Sequence, residues 1–380
     1  MSPATPPVPP TPRRRLLFQE LTSPRDVLAN LSPNWFASVM GTAIIATGAA
    51  SLPDQGPALR VVELVAWAFS AVMLVLLTLA TIGHWALWGE SARSHHRNPV
   101  IAHFYGAPAM AFLTVGAGTL LVGKDWIGIG AALRVDWVVW IIGAALGMAS
   151  AVVVPYLAFT QHENSAQSAF GGWLMPVVPP MLAGSTGSLL VPYAPIGQLR
   201  ETLFWGCFAL FGLGLLTSFL IIPLIWNRLV VHDVGPAGMV PTLWIVLGPM
   251  GQSITAANLL GGVAGHVLDD STAHAVRLFG LVYGVPMLGL ALGWTAICVL
   301  ITIRTARTHL PFSLTWWSFT FPIGTCVTGF SALGAHTGVA GIAVLAVVFW
   351  VGLVAAWIVV AARTVHGSVI RGTLLAPAQR

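Results

Sequence analysis

Charged side chains are scarce in this sequence. Asp, Glu, Lys and Arg together make up 8% of its 380 residues, whereas a soluble globular domain carries about 25%. Hydrophobic residues make up 56%, and the mean hydropathy is +0.83. A chain with so little charge cannot cover a water-facing surface, so the composition excludes a soluble domain and predicts an integral membrane protein.

Signals of other protein classes are missing too. The three cysteines, Cys207, Cys298 and Cys326, lie in apolar stretches without CxxC or Cys/His spacing, which argues against a disulfide framework or a zinc site. No HExxH motif and no Gly-rich phosphate loop occurs, so we expect neither an enzyme nor a cofactor. The net charge of +5 is spread over loops and not gathered in one patch, which argues against nucleic-acid binding.

What the sequence does contain is a series of apolar runs of about 20 residues, each long enough to cross a bilayer. They predict an all-α integral membrane protein with ten transmembrane helices in residues 25–366. The tails, a Pro-rich disordered segment at 1–24 and a second segment at 367–380, are predicted to be cytoplasmic. The predicted spans are 35–52, 61–88, 102–123, 136–160, 168–190, 200–226, 238–262, 274–303, 312–334 and 338–363.

The spans alternate in character. The odd-numbered ones are rich in helix breakers, whereas several even-numbered ones are smooth and suited to facing lipid. A Pro inside a membrane helix removes a backbone hydrogen bond and bends the helix, which is tolerated where neighbours or a cavity satisfy the freed carbonyl. The alternation predicts five hairpins, each with a bent inner and a straighter outer helix, around a central pore. The candidate pore-lining or bend residues are Gly41, Gly48, Pro108, Pro176, Pro179, Pro249, Gly251, Gln252, Pro322 and Gly324.

The distribution of Lys and Arg predicts the orientation. With a cytoplasmic N-terminus and ten spans, 12 of the 17 Lys and Arg residues lie on the cytoplasmic side. Such an excess is typical of cytoplasmic loops. We therefore predict a multi-pass protein of the cell membrane, plasma or inner, with both termini in the cytoplasm.

The odd-numbered spans contain no Asp, Glu, Lys or Arg. Proton- or cation-coupled carriers usually hold a charged residue within the membrane, so this absence favours passive flow. Bent helices expose unpaired N–H groups and the positive ends of half-helices, which favour anions. Most Ser and Thr hydroxyls there are expected to bond the carbonyl one turn back, whereas the amide of Gln252 needs other partners.

One stretch, Pro311 to Gly334, carries the most specific prediction. It is long enough to span, lacks charge, and is interrupted by Phe321-Pro322 followed by Gly324. A bulky ring at a bend can plug a passage. Phe319 and Phe321 are therefore both candidates for a ring that closes the pore.

Four stretches resemble one known family: NWFASVMGTAIIATG at 34–48, GGWLMPVVPPMLAGSTG at 171–187, GPMGQS at 248–253 and WWSFTFP at 316–322. By these motifs the chain is similar to the tellurite-resistance/dicarboxylate transporter family, which includes bacterial TehA and plant slow anion channels. The resemblance implies five hairpins around a pore in each protomer, a homotrimer, and a Phe on the ninth helix that occludes the pore. By motif position that Phe is Phe321. One departure is that the first span has no interior Pro.

Three functions follow as hypotheses. The first is a channel or permease for small anions of the halide or nitrate, C4-dicarboxylate or sulfite class. The second is a proton-coupled carrier of dicarboxylate or sulfite, and the third is a non-transporting membrane scaffold. The absence of charge in the odd spans favours the first over the second. A scaffold gains nothing from weakening five helices, so the repeated breakers disfavour the third.

Overall fold

The computed structural model describes residues 17–21 and 25–376, and the described part is helical without any strand. Its main helices, in chain order, are α1 (Phe36–Ser51), α2 (Pro57–Leu87), α3 (Gly106–Gly118), α4 (Ile129–Thr160), α5 (Val178–Ser188), α6 (Gln198–Val231), α7 (Leu247–Val263), α8 (Asp270–Ala306), α9 (Phe321–Thr337) and α10 (Ala340–Val365).

The helices form two layers. The odd-numbered helices pack against one another in a closed ring, in the order α1, α3, α5, α7, α9 and back to α1. Each also packs against the even-numbered helix that follows it in the chain, and these even-numbered helices form an outer layer. The inner helices are buried on nearly every side, whereas the outer ones expose many large apolar side chains.

Seven helical stretches of the described residues are long and apolar enough to cross a membrane. They are Pro57–Leu87, Ile101–Ile127, Ile129–Thr160, Gln198–Val231, Ala237–His266, Asp270–Ala306 and Ala340–Arg371. The all-α membrane class is thereby confirmed. The prediction of ten crossings needs α1, α5 and α9 to cross as well, and it stays a prediction.

The prolines of the inner helices lie near helix starts. In α3, α5, α7 and α9, a Pro occupies the second or third residue, and a 3-10 segment precedes each of these helices within a few residues. A Pro in the first turn loses no intrahelical hydrogen bond. The prolines that interrupt a long helix are instead Pro155, Pro223 and Pro286, in outer helices α4, α6 and α8.

The two ends of the described chain meet. Phe18, Gln19 and Glu20 donate backbone hydrogen bonds to the carbonyls of residues 369–371, and the Asn30 side chain donates to the Leu375 carbonyl at 3.1 Å. The described part of the chain thus begins and ends on the same face of the helix bundle. Most of the predicted tail at 1–24, namely residues 1–16 and 22–24, lies outside the described residues, and so do residues 377–380 of the second tail.

Candidate functional site

Two cavities lie inside the ring of inner helices. The wide cavity has a volume of about 280 Å³, and the narrow cavity one of about 20 Å³. A cavity of the smaller size holds about one water molecule. Every inner helix contributes side chains to both cavities.

The two cavities follow one another along the same faces of the inner helices. On α1, Ala37 and Met40 line the narrow cavity, and Ile44, Thr47 and Ser51 line the wide one. Steps of three and four residues keep side chains on one face of a helix. The same spacing runs along α3 through Met110, Thr114 and Ala117, and it continues to Leu121 in the π-helical turn Thr119–Gly123 that follows α3.

The inner helices also run in the same direction. Residues among the first five of each inner helix line the narrow cavity, and residues further along line the wide one. The stretches Ile101–Ile127 and Ala237–His266 are already helical before they reach the narrow cavity, whereas α5 and α9 begin at Val178 and Phe321, which line it. The positive ends of these two helix dipoles favour an anion at the narrow cavity.

The two candidate gate residues face different spaces. Phe321 and Pro322 line the narrow cavity, and the Phe321 side chain is 2% exposed. Phe319 lines a separate groove between α8 and α10, where its ring meets those of Trp244 and Trp316 edge to face, each at 5.6 Å between centroids. The structure thus places the two rings, only two residues apart, on different sides of the chain.

Four of the predicted glycines lie at helix–helix contacts. A Cβ atom at Gly41 would come within 2.3 Å of Thr320 Oγ1, and one at Gly324 within 2.3 Å of Ile44 Cγ1. At Gly251 it would lie 2.4 Å from the Cys326 nitrogen, and at Gly48 it would be 3.5 Å from Val327 Cγ1. These glycines let α9 approach α1 and α7 closely.

The remaining predicted residues separate into two groups. Gln252 lines the wide cavity, and its side-chain amide donates a hydrogen bond to Ser185 Oγ across the α5–α7 contact. Pro108, Pro176, Pro179 and Pro249 are absent from the described lining of both cavities. Their assignment to the pore stays a prediction.

Hydroxyl groups in the inner helices mostly bond to their own backbone, as predicted. Thr114, Thr186 and Thr255 each donate to the carbonyl four residues back, at 2.7–3.1 Å. Cross-helix bonds come largely from outer-layer aromatics that the sequence did not single out. Trp140 donates to the Ala183 carbonyl, and Trp350 donates to the Ile45 carbonyl. Trp357 donates to Thr42 Oγ1, and Tyr283 donates to Ser253 Oγ.

The short helix Gly89–Arg97, which follows α2, carries histidines. The His95 ring stacks on His84 of α2 with 5.5 Å between centroids. Burial, with His84 and His96 adding to it, lowers the pKa of His95 to about 4. His95 is therefore neutral at physiological pH and supplies no charge at this end of the bundle.

Two buried carboxyl groups correct the expectation drawn from the inner helices. Asp136 on α4 and Glu63 on α2 are each 1% exposed, and both Asp136 oxygens and Glu63 Oε1 lack a hydrogen-bond partner in the described structure. Both residues lie in outer helices, near one end of an even-numbered predicted span. The expectation of passive flow considered charged residues in the odd-numbered spans alone. The argument that missing intramembrane charge favours passive flow is therefore weaker than the sequence suggested.

Comparison with known proteins agrees with this architecture. The sulfite efflux pump SSU1 of Arthroderma otae is 26% identical over 351 residues, which cover 90% of this chain and 92% of that protein. An uncharacterized transporter of Methanocaldococcus jannaschii is 25% identical over 312 residues, covering 82% and 86% of the two chains. A malic acid transport protein of Schizosaccharomyces pombe is 22% identical over 202 residues, 49% of this chain and 45% of that protein.

A family model described as SLAC1, voltage-dependent anion channel, matches residues 30–365. The match begins just before α1 and ends with the last residue of α10. It confirms both the resemblance found in the motifs and the expectation of an anion channel or permease. The protein belongs to the SLAC1 family of voltage-dependent anion channels.

Proposed function

We propose that this protein passes small anions across the cell membrane through the axis of its inner ring, and that the Phe321 ring closes this passage. The observation that carries the proposal is that one face of each of the five inner helices lines two cavities in succession. A ring of neutral helices with an axial passage suits flow better than tight capture, because a strongly binding site would retain the ion.

Anions are the preferred cargo for two reasons. Helices α5 and α9 begin at the narrow cavity, where the positive ends of their dipoles favour negative charge. The relatives named for sulfite efflux and malic acid transport carry anions, so the substrate classes are small inorganic anions such as halide, nitrate and sulfite, and C4-dicarboxylates.

The described conformation is closed. The narrow cavity, about 20 Å³, is too small for a hydrated anion, and the Phe321 ring is buried in its wall. Opening requires the ring to leave the axis, which a change of side-chain rotamer with a small shift of α9 would achieve.

The proposed membrane arrangement has ten crossings in five inner–outer pairs. The contact of each inner helix with the next outer helix supports the pairs. The meeting of the two chain ends supports an even number of crossings, and the excess of Lys and Arg places these ends in the cytoplasm. The assembly is proposed to be a homotrimer with one passage in each protomer, as the family resemblance implies.

Anion uptake into proteoliposomes tests the gate. Phe321→Ala removes the ring from the narrow cavity, and we expect faster chloride and sulfite uptake than in the parent protein. The loss of packing should cost about 3 kcal/mol or less, because one side of the ring faces a cavity.

Phe319→Ala is the matched control, because the same ring is removed from the groove outside the inner ring. It should leave uptake close to that of the parent. If Phe321→Ala folds normally and takes up anions no faster than the parent, the proposed gate is wrong; faster uptake by Phe319→Ala alone would show that the gate is Phe319.

A further inference from the structure

Asp136 is the least satisfied ionisable group in the described structure. It lies in α4, is 1% exposed, and neither carboxyl oxygen has a hydrogen-bond partner. The side chain faces Gly116 of α3 so closely that a Cβ atom there would come within 2.5 Å of Asp136 Oδ1. Gly116 therefore leaves the space that the carboxyl group occupies between the two helices.

No positive charge compensates this carboxyl group in the described structure. α3, α5 and the π-helical turn Thr119–Gly123 contribute no charged side chain to their contacts with α4. Arg134, on α4 itself, donates instead to the Gly130 carbonyl at 3.2 Å. The short helix Lys124–Ile127 also packs on α4. Its Asp125 pairs with Arg60 at 3.4 Å, and its Lys124 forms no ion pair with any described residue.

Two more titratable groups lie on neighbouring elements. His103 lies in the 3-10 segment Ile101–Tyr105 that packs on α4, at the opposite end of α3 from Gly116. Its Nδ1 donates a hydrogen bond to the Pro99 carbonyl, 2.8 Å away. Glu63 is on α2, with Arg60 4.0 Å away. Within the described structure, neither His103 nor Glu63 forms a hydrogen bond with Asp136.

An ionised carboxylate in this position would be buried without a partner, which costs several kcal/mol. A neutral carboxylic acid in the same place carries a much smaller penalty, because it has no net charge to desolvate. The close contact of Asp136 with Gly116 therefore suits the protonated form. Loss of the proton favours a conformation in which the two helices separate or water enters.

Separation of α3 from α4 would change the passage, because the other face of α3 lines it. Met110 contributes to the narrow cavity, and Thr114 and Ala117 contribute to the wide one. Gly116 lies between these last two positions on the opposite side of the helix. A shift of α3 toward α4 or away from it thus moves the wall of both cavities.

We propose that Asp136 is a proton-binding site that holds the passage closed while it is protonated and favours opening when the proton leaves. This inference rests on the proposed anion pathway. In the predicted orientation Asp136 lies near the external end of α4, so the controlling variable is external pH.

Chloride uptake into proteoliposomes at a series of external pH values tests the proposal. In the parent, uptake should rise with pH by roughly tenfold, within the range typical of coupling between two sites. Asp136→Asn keeps the shape of the neutral acid but cannot lose the proton, so its uptake should stay at the low value at every pH. Asp125→Asn, in which an exposed carboxylate is neutralised, should keep the rise of the parent.

A rise of the same size in Asp136→Asn and the parent, no dependence on pH in the parent, or uptake that falls as pH rises would each overturn the proposal. A parent protein that passes no anion at any pH, even as Phe321→Ala, would instead overturn the proposed function.

Infrared spectroscopy of the purified parent tests proton binding without transport. The carbonyl stretch of a buried neutral carboxylic acid should be present near neutral pH, be missing from Asp136→Asn, and disappear as the pH is raised. Glu63→Gln identifies any share of the band that belongs to the other buried carboxyl group. An unchanged band in a folded Asp136→Asn would show that Asp136 is ionised, and would overturn the proposal even if that variant did not transport.

Discussion

Gly251 of α7 packs directly against the backbone of Cys326 of α9: a Cβ atom at position 251 would lie 2.4 Å from the Cys326 nitrogen. Real side chains do not approach a backbone atom so closely, so any larger residue must push the two helices apart. The sequence marked Gly251 as a candidate bend, and the structure places it where the backbones of α7 and α9 come close together.

Gly251→Ala should therefore destabilise the protein by about 1–3 kcal/mol, the usual cost of an extra methyl group in a packed interior. Thermal unfolding in detergent measures the effect. Gly262→Ala is the control in the same helix, because nothing lies within 4 Å of a Cβ atom at position 262. Equal melting temperatures for the two variants would contradict the proposed contact.

Gly248 offers a test of the passage itself. It lines the narrow cavity with Phe321, and a Cβ atom at position 248 would meet nothing within 4 Å. In a Phe321→Ala background, Gly248→Phe should refill the narrow cavity and return anion uptake toward the level of the parent. Gly293→Phe, at an open position on outer helix α8, should leave uptake by Phe321→Ala high. If Gly248→Phe does not slow uptake, the two residues do not share one passage.

The predicted topology can be checked by labelling single cysteines. Ser94 follows α2 and Gln198 begins α6, and both are exposed. In a background without the three native cysteines, Ser94→Cys should react with a membrane-impermeant reagent only from the cytoplasmic side, and Gln198→Cys only from outside. Labelling from the reverse sides would invert the orientation.

The homotrimer is a prediction from the family resemblance. Glycines spaced four residues apart allow close packing of helices, either within one chain or between subunits. Gly143, Gly147, Gly280 and Gly284 contact other helices of the same chain, whereas Gly289 and Gly293 of α8 face open space. Mass measurement in mild detergent should give three times the 40.0 kDa of one chain. A stable monomer or dimer under conditions that preserve anion uptake would rule the trimer out.

Prolines show where reading the sequence succeeded and where it did not. Pro249 and Pro322 lie in helices that line the two cavities, but they were expected to bend those helices at mid-span. In the structure each lies in the first turn of an α-helix that follows a 3-10 segment. Sequence alone cannot place a helix start inside a uniformly apolar stretch, because no polar cap marks it.

Asp136 shows the opposite case, a residue that the sequence displays openly but does not explain. At the edge of an apolar run, an Asp is expected to reach water. The contact with Gly116, which lies 20 residues earlier in the chain, is what buries it. Only the packing of α3 on α4 brings these two positions together.

The sequence by itself determined the membrane class, the approximate positions of the helices, the neutral character of the odd-numbered spans and the family, because these follow from composition, run length and motifs. The tertiary structure decided which face of each inner helix lines the cavities, that Phe321 and not Phe319 lies at the narrow one, and which glycines are contacts. The physical reason is that the inner helices are buried on nearly every side and carry no distinct polar face. A helix without hydrophobic contrast carries no periodic signal for orientation, so only its packing against neighbours selects the face toward the axis.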